Sequence, residues 1–142
     1  MPEIEGYNFP DDLLYHKEHM WVKVEDGKAR VGVTDFTQKL AGEFSYVEFP
    51  EEGDEVEKDQ VIGSYETGKW LGKIYAPVSG TIVEINEEVD DDPSLVNEDP
   101  YGDGWLFVIE MSNPDELNEL MKPDSPEFQE WIKAEIEKHA KK

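Results

Sequence analysis

Hydrophobic and polar positions alternate in short blocks along most of the chain, and each block stops at a glycine, a proline or an acidic turn. Met20 to Glu25 and Lys28 to Val33 alternate on either side of Asp26-Gly27, a two-residue hairpin signal. Phe44 to Phe49 alternates again and stops at Pro50. The acidic stretch Glu51 to Asp59 carries Gly53 and reads as a turn with a short strand around Val56. Further strands are predicted over 60–66, 71–76 and 80–86, with a last one over 105–110. Thr34 caps a short helix that has Asp35 in its first turn and Gly42 just past its end. Near the C-terminus Pro114 opens a helix through Met121, and Pro126 opens another through His139. Residues 1–18 read as an irregular arm. Glu87 to Asp103, rich in Asp, Glu, Pro and Asn, reads as a long excursion.

Many short strands between Gly and Pro turns, with helices at the margins, predict a mainly β sandwich or barrel. The expected organisation is an arm over 1–18, a β domain over 19–112 and a helical extension over 113–142. With 142 residues, 37% hydrophobic and 11% aromatic, the chain holds one modest core. Its 35 acidic residues against 13 basic ones give a formal charge of −22. Such a surface repels phosphates and anionic lipids, so nucleic acid and membrane surfaces are excluded as partners. The charge instead keeps the chain dispersed and steers it toward basic partner surfaces. Without cysteine there are no disulfides, thiolate metal sites or cysteine nucleophiles. The N-terminus has no apolar run, and no segment approaches a membrane span, so a cytoplasmic location is expected.

Candidate chemistry centres on Lys69 in Tyr65-Glu66-Thr67-Gly68-Lys69-Trp70, between two strand-like runs. An isolated lysine on a tight turn is ordinarily a surface cation. Three placed residues change that weighting: Glu66 three before it, Gly53 sixteen before it and Gly80 eleven after it. Elsewhere the sequence offers no serine elbow and no phosphate-cradling glycine loop. The chain is therefore read as a non-enzyme.

These residues, with Glu18-His19-Met20-Trp21, Gly32-Val33-Thr34-Asp35-Phe36, Leu40-Ala41-Gly42-Glu43, Tyr75-Ala76-Pro77-Val78-Ser79-Gly80 and Asn97-Glu98-Asp99-Pro100-Tyr101-Gly102, resemble the lipoyl domains and, more closely, the glycine-cleavage H-protein family. The resemblance runs from about Tyr15 to about Leu120. It implies a barrel-sandwich hybrid of the lipoyl/biotinyl type: a flattened antiparallel sandwich with one short internal helix and C-terminal helices. It implies lipoic acid in amide linkage to Lys69, with Glu66, Gly53 and Gly80 read by the lipoate-attaching enzyme. It also implies a monomeric carrier that shuttles an aminomethyl group from glycine decarboxylase, a PLP enzyme, to aminomethyltransferase and is re-oxidised by dihydrolipoamide dehydrogenase. Biotinyl domains flank their lysine with methionines. Here the neighbours are Gly68 and Trp70, which disfavours biotin.

The departures from the family pattern concern the cargo. A Glu commonly stands between the matched His and Trp, and an acid four after the lysine, where each would hold the amine of a loaded arm. Here those positions are Met20 and Lys73. The family commonly reads Glu-Ser-Val-Lys-Ala about the lysine, so Gly68 loosens the turn and Trp70 sets a bulky ring beside the attachment point. Two alternatives follow: an H-like lipoate carrier for another cargo, such as sulfur intermediates in a heterodisulfide-reductase-like system, and an unmodified scaffold or regulatory module.

Three further patterns carry less weight. Asp99 to Gly104 with Glu110 nearly fits a calcium loop, but Tyr101 stands where Asp or Asn belongs, and the following residues read as a strand. Asp90-Asp91-Asp92 reads as a solvated loop. His16 and His19 have the spacing of a helical ligand pair. The alternation from Met20 argues against a helix there, and His19 reads as a packed or cleft residue. No metal site is expected.

Overall fold

The computed structural model describes residues 3–69 and 71–140, the last of them by its backbone alone. The chain opens with β1 (Glu3–Ile4), β2 (Tyr7–Asn8), β3 (Leu14–Tyr15), β4 (Met20–Glu25) and β5 (Lys28–Val33). Helix α1 (Asp35–Ala41) leads into β6 (Phe44–Glu48), β7 (Glu55–Val56), β8 (Val61–Thr67), β9 (Leu71–Tyr75) and β10 (Gly80–Ile85). Short helices α2 (Glu87–Asp91) and α3 (Leu95–Glu98) precede β11 (Phe107–Met111), a 3-10 turn (Pro114–Glu119) and α4 (Pro126–Ala140).

Six strands form one sheet in the order β3-β4-β5-β11-β10-β7, and three form a second in the order β6-β8-β9. Every pairing is antiparallel. Alternation fixes which face is buried. Val31, Ile82 and Ile109 of the large sheet meet Val47, Tyr65 and Ile74 of the small one in a single core. Burying each such side chain contributes about 1.5–3 kcal/mol.

A second core ties the chain ends to this sandwich. Ile4, Phe9, Leu13 and Tyr15 from the N-terminal segment pack with Trp21, Phe36 and Met121, and with Phe128 and Ile132 of α4. Trp21 lies directly across the β4–β5 ladder from Gly32, where a Cβ would fall 2.6 Å from the indole ring. Its ring N–H donates to the Pro100 carbonyl at 2.9 Å, so the buried polar atom is satisfied. The Tyr101 hydroxyl donates to the Asn8 carbonyl and accepts from the Asp35 N–H, joining arm to helix.

The helix caps follow the sequence closely. Thr34 accepts from the Thr37 N–H, and the Gly42 N–H closes α1 onto the Gln38 carbonyl. Four expectations need correction. The N-terminal arm is not irregular: β1 and β2 form a hairpin and β3 adds an edge strand to the large sheet, because Ile4, Phe9, Leu13 and Tyr15 have a core to fill. The excursion over 87–103 contains two short helices. Asn86 caps the first by accepting from the Glu88 N–H, and the acidic first turn suits a helix N-terminus. With α1 this makes three short internal helices rather than one. The segment after Pro114 is a 3-10 turn whose start Asn113 caps, so α4 is the one α-helix of the described C-terminal region. Finally, the last strand begins at Phe107, two residues later than expected.

Candidate functional site

Strands β8 and β9 form a hairpin whose last ladder pair is Glu66 with Leu71, leaving Lys69 at its tip. The Lys69 N–H donates to the Thr67 hydroxyl at 3.1 Å, which folds the tip back on itself. Lys69 is exposed, and its stem lies over the C-terminal end of α1. Its Cδ and Cε are 3.7 Å from where a Cβ on Gly42 would sit. Glu66 shares this hairpin and is exposed on it. Gly53 and Gly80 are elsewhere, at the far end of β8 and β9. The Gly53 N–H donates to the Ile82 carbonyl at 2.7 Å, while Gly80 pairs with Val56 and Met111. Strand β9 alone carries the chain roughly 15 Å from the tip. Gly53 has φ +95°, which favours glycine, and a Cβ on Gly80 would collide with the Glu110 carbonyl. Trp70, whose ring is expected beside the attachment point, lies outside the described residues.

Next to the tip is a cleft of about 390 Å³. One wall is the row Leu71, Lys73 and Tyr75, alternate residues of β9 and therefore on one face. Tyr65, set across from Gly72 on the opposite face of the sheet, also lines the cleft and stacks on Phe44 with ring centroids 4.5 Å apart. A second wall is α1, through Phe36, Thr37 and Leu40. The third is the turn into β4, carrying Glu18, His19 and the buried Met20. His139 of α4 completes the lining.

His19 anchors that third wall. Its backbone has φ +68°, uncommon for a residue with a side chain. Its Nε2 is 2.7 Å from Glu135 Oε1 on α4, and its ring packs between Phe36 and Trp131. Burial pushes the imidazole below its ordinary range, and this outweighs the opposing pull of Glu135. A neutral His19 donates from Nε2 to the Glu135 carboxylate. Trp131, Glu135 and His139 recur every four residues on one face of α4; the first two contact His19, and His139 lines the cleft.

His16 looks the other way. Its Nε2 contacts Asp59 Oδ1, and its ring stacks on Tyr75. Burial lowers the His16 pKa against the pull of Asp59. Burial would raise Asp59, but its hydrogen bonds with His16 and Lys58 hold the carboxyl below its usual range. The two histidines thus serve separate partners. In the acidic turn the Asp99 carboxylate accepts from the Asp103 N–H, and Tyr101 is engaged with Asn8 and Asp35, so these groups close a loop. Among the described residues no three His, Cys, Asp or Glu side chains gather as a metal would require.

An exposed lysine on a glycine-flanked hairpin, beside a cleft with apolar walls, is the arrangement to compare with known proteins. The model of the glycine cleavage H-protein family matches residues 13–135. The chain belongs to that family. It is 50% identical over 128 residues to the glycine cleavage system H protein of Halalkalibacterium halodurans, covering 90% of this chain and 98% of the relative. With the H protein of Oceanobacillus iheyensis it shares 50% identity over 120 residues, covering 84% and 95% of the two chains. Glycine cleavage system H protein 4 of Aquifex aeolicus is 42% identical over 134 residues, covering 94% and 77%. Among solved structures, an H protein from Mycobacterium marinum superposes with a TM-score of 0.75 at 33% identity, over 80% of this chain and 92% of that one. The family consists of non-catalytic lipoyl carriers within the glycine cleavage system, and its mainly β antiparallel architecture is the one seen here. No helix among the described residues is long and apolar enough to cross a membrane.

Sequence patterning pointed to the hairpin but not to the far wall of the cleft. Glu135, Trp131 and His139 went unassigned, although their four-residue spacing marks one helical face. Nor does any motif indicate that Gly42 lies beneath Lys69. Met20 and Lys73, the two departures from the family pattern, both line the cleft.

Proposed function

We propose that Lys69 carries lipoic acid in amide linkage, and that the chain is the lipoyl carrier between glycine decarboxylase and aminomethyltransferase, re-oxidised by dihydrolipoamide dehydrogenase. The supporting observation is the placement of Lys69: exposed at a hairpin tip, with its stem over Gly42 at the C-terminal end of α1, whose residues form a wall of the adjoining cleft. The described residues put no carboxylate in ion-pair contact with its ammonium, so loss of that charge on amide formation breaks no pairing. When bound, lipoate supplies a dithiol–disulfide couple that accepts and releases a carried group by thiol chemistry.

The chain's own residues position and shelter. Gly42 has φ +91°, which favours glycine, and its backbone forms the surface over which the lysine stem lies. Leu71, Tyr65, Phe36 and Leu40 offer apolar surface that excludes water from whatever enters the cleft. The lipoate-attaching enzyme would read Glu66 on the hairpin directly. Gly53 and Gly80 would act through the shape of the strand ends they permit. A surface of charge −22 suits successive, short-lived docking on basic faces of several enzymes, with the carrier a cytoplasmic monomer. Intact mass of protein from its native source tests the attachment: a lipoyl adduct that disappears in Lys69→Ala is expected. Its absence from the natural protein leaves the unmodified scaffold.

A second reading is favoured by one observation. Met20 and Lys73 stand in the cleft where carboxylates would hold an amine, which supports an H-like lipoate carrier of another cargo, sulfur intermediates among them. Loading of lipoylated protein by glycine decarboxylase separates the two: transfer supports glycine cleavage, and none supports the other cargo.

A further inference from the structure

We infer that Asn97, on α3, is a positioning residue for the attachment site: it holds the turn between α1 and β6 as the platform under the Lys69 stem, and so presents the lysine amine to the attaching enzyme. The hold on the stem stands without any modification, whereas its use in presentation rests on the lipoylation proposed for Lys69. Asn97 is 55 positions from Gly42 in sequence, yet its side-chain amide spans the turn. Its Nδ2 donates to the Gly42 carbonyl at 2.8 Å, and its Oδ1 accepts from the Phe44 N–H at 2.8 Å. A carbonyl only accepts and an N–H only donates, so these partners fix which way the amide points. The backbone is thereby held on both sides of Glu43. Nδ2 also reaches Gln38 Oε1 at 3.2 Å, and Gln38 Nε2 donates to Asp35 Oδ1 at 2.7 Å, which carries the same hold into α1.

This turn carries both supports of the lysine. Gly42 lies under the stem, whose Cδ and Cε are 3.7 Å from where a Cβ on that glycine would sit. Phe44 starts β6 across the ladder from Thr67, whose hydroxyl accepts from the Lys69 N–H at 3.1 Å. The Phe44 ring also stacks on Tyr65 of the cleft. The ladder of α1 ends with the Gly42 N–H on the Gln38 carbonyl, so beyond that atom the helix gives the turn no direction of its own. Asn97 supplies it from a rigid base. Behind α3, a Cβ on Gly104 would fall 2.6 Å from the Leu95 carbonyl oxygen and 2.8 Å from the Val96 Cα. Just past the helix, the Pro100 carbonyl accepts from the buried Trp21 ring.

Two readouts on the full-length protein test this. In the unmodified chain of natural sequence, proton NMR should show NOE cross-peaks between the Lys69 side-chain methylenes and the Gly42 α-protons. Asn97→Ala removes both arms of the amide and should abolish them. Asn97→Asp keeps the acceptor for the Phe44 N–H but sets a carboxylate oxygen against the Gly42 carbonyl. It should lose the Lys69–Gly42 cross-peaks and keep those between the Phe44 and Tyr65 rings, and it carries both readouts if Asn97→Ala fails to fold. Val31→Ala, a core substitution away from the turn, should lower the Tm and keep every cross-peak. With a lipoate-attaching enzyme, kcat for Lys69 should fall roughly tenfold to hundredfold in Asn97→Asp at unchanged KM, because the amine is misplaced while the docking surface is intact. Val31→Ala should match the natural protein. Lys69–Gly42 cross-peaks that survive in Asn97→Asp, or a fall in kcat shared by Val31→Ala, overturn the inference. A KM that rises at unchanged kcat also overturns it, since Asn97 would then act on docking. Attachment absent even from the natural protein overturns the lipoylation reading instead, and leaves the cross-peaks to decide the hold on the stem.

Discussion

The tip of the β8–β9 hairpin and the turn into β4 face one another across a cleft, yet they are built in opposite ways. At the tip, Gly68 and Lys69 are exposed, and the Thr67 hydroxyl folds the backbone locally. At the turn, His19 sits in a strained backbone conformation between Phe36 and Trp131, bonded to a residue 116 positions away. Met20 and Trp21 beside it are sealed from solvent. The tip can change chemically without disturbing the fold, whereas the turn is held by the second core and by α4. An attachment point and the shelter for what is attached need different physics: one must be reachable and the other rigid.

Breaking the tip should remove the modification and leave the fold alone. Lys69→Arg is expected to abolish the adduct completely by intact mass. Its unfolding free energy should stay within about 0.5 kcal/mol of the parent, because the side chain is exposed and makes no ion pair among the described residues. The turn should behave in reverse. Trp21→Ala removes a ring buried against Gly32 and its hydrogen bond to Pro100, so denaturant titration should show a loss of about 3–5 kcal/mol.

A subtler change sharpens the contrast. Glu135→Ala leaves the His19 ring without its carboxylate partner, and a loss of about 1–3 kcal/mol is expected from the unpaired group. The smallest effect concerns pH. His19 and His16 both have pKa values below the ordinary 6.5, chiefly through burial. Above about 6.5 both are neutral in either state. As pH falls below that value the unfolded chain takes up protons that the folded chain resists, so stability should decline until the lower folded pKa values are passed. His19→Asn should flatten that slope, and stability measured from pH 8 to pH 5 checks it.

The same contrast explains what was readable from sequence alone. The alternation around Asp26-Gly27 and the caps at Thr34 and Gly42 are local signals, and the strands and helix they predicted are present. Lys69 was singled out from Glu66 on its own hairpin, from the spacing of Gly53 and Gly80, and from the family resemblance. Helices α2 and α3 were missed because four or five residues give too little periodicity to register. The N-terminal hairpin was missed because its apolar residues, Ile4 and Phe9, are sparse and bury themselves against α4 from the other end of the chain. The His19–Glu135 contact is set by how α4 docks, which no local pattern encodes. Gly53 and Gly80 show the limit of spacing: regular in sequence about Lys69, they lie at the opposite end of its strands.

Mass spectrometry of the native protein bears most directly on all of this. One lipoyl adduct, localised by fragmentation to Lys69 and lost in Lys69→Ala, is the predicted result. Unmodified protein from cells that lipoylate their other carriers, or an adduct on a different lysine, would contradict it.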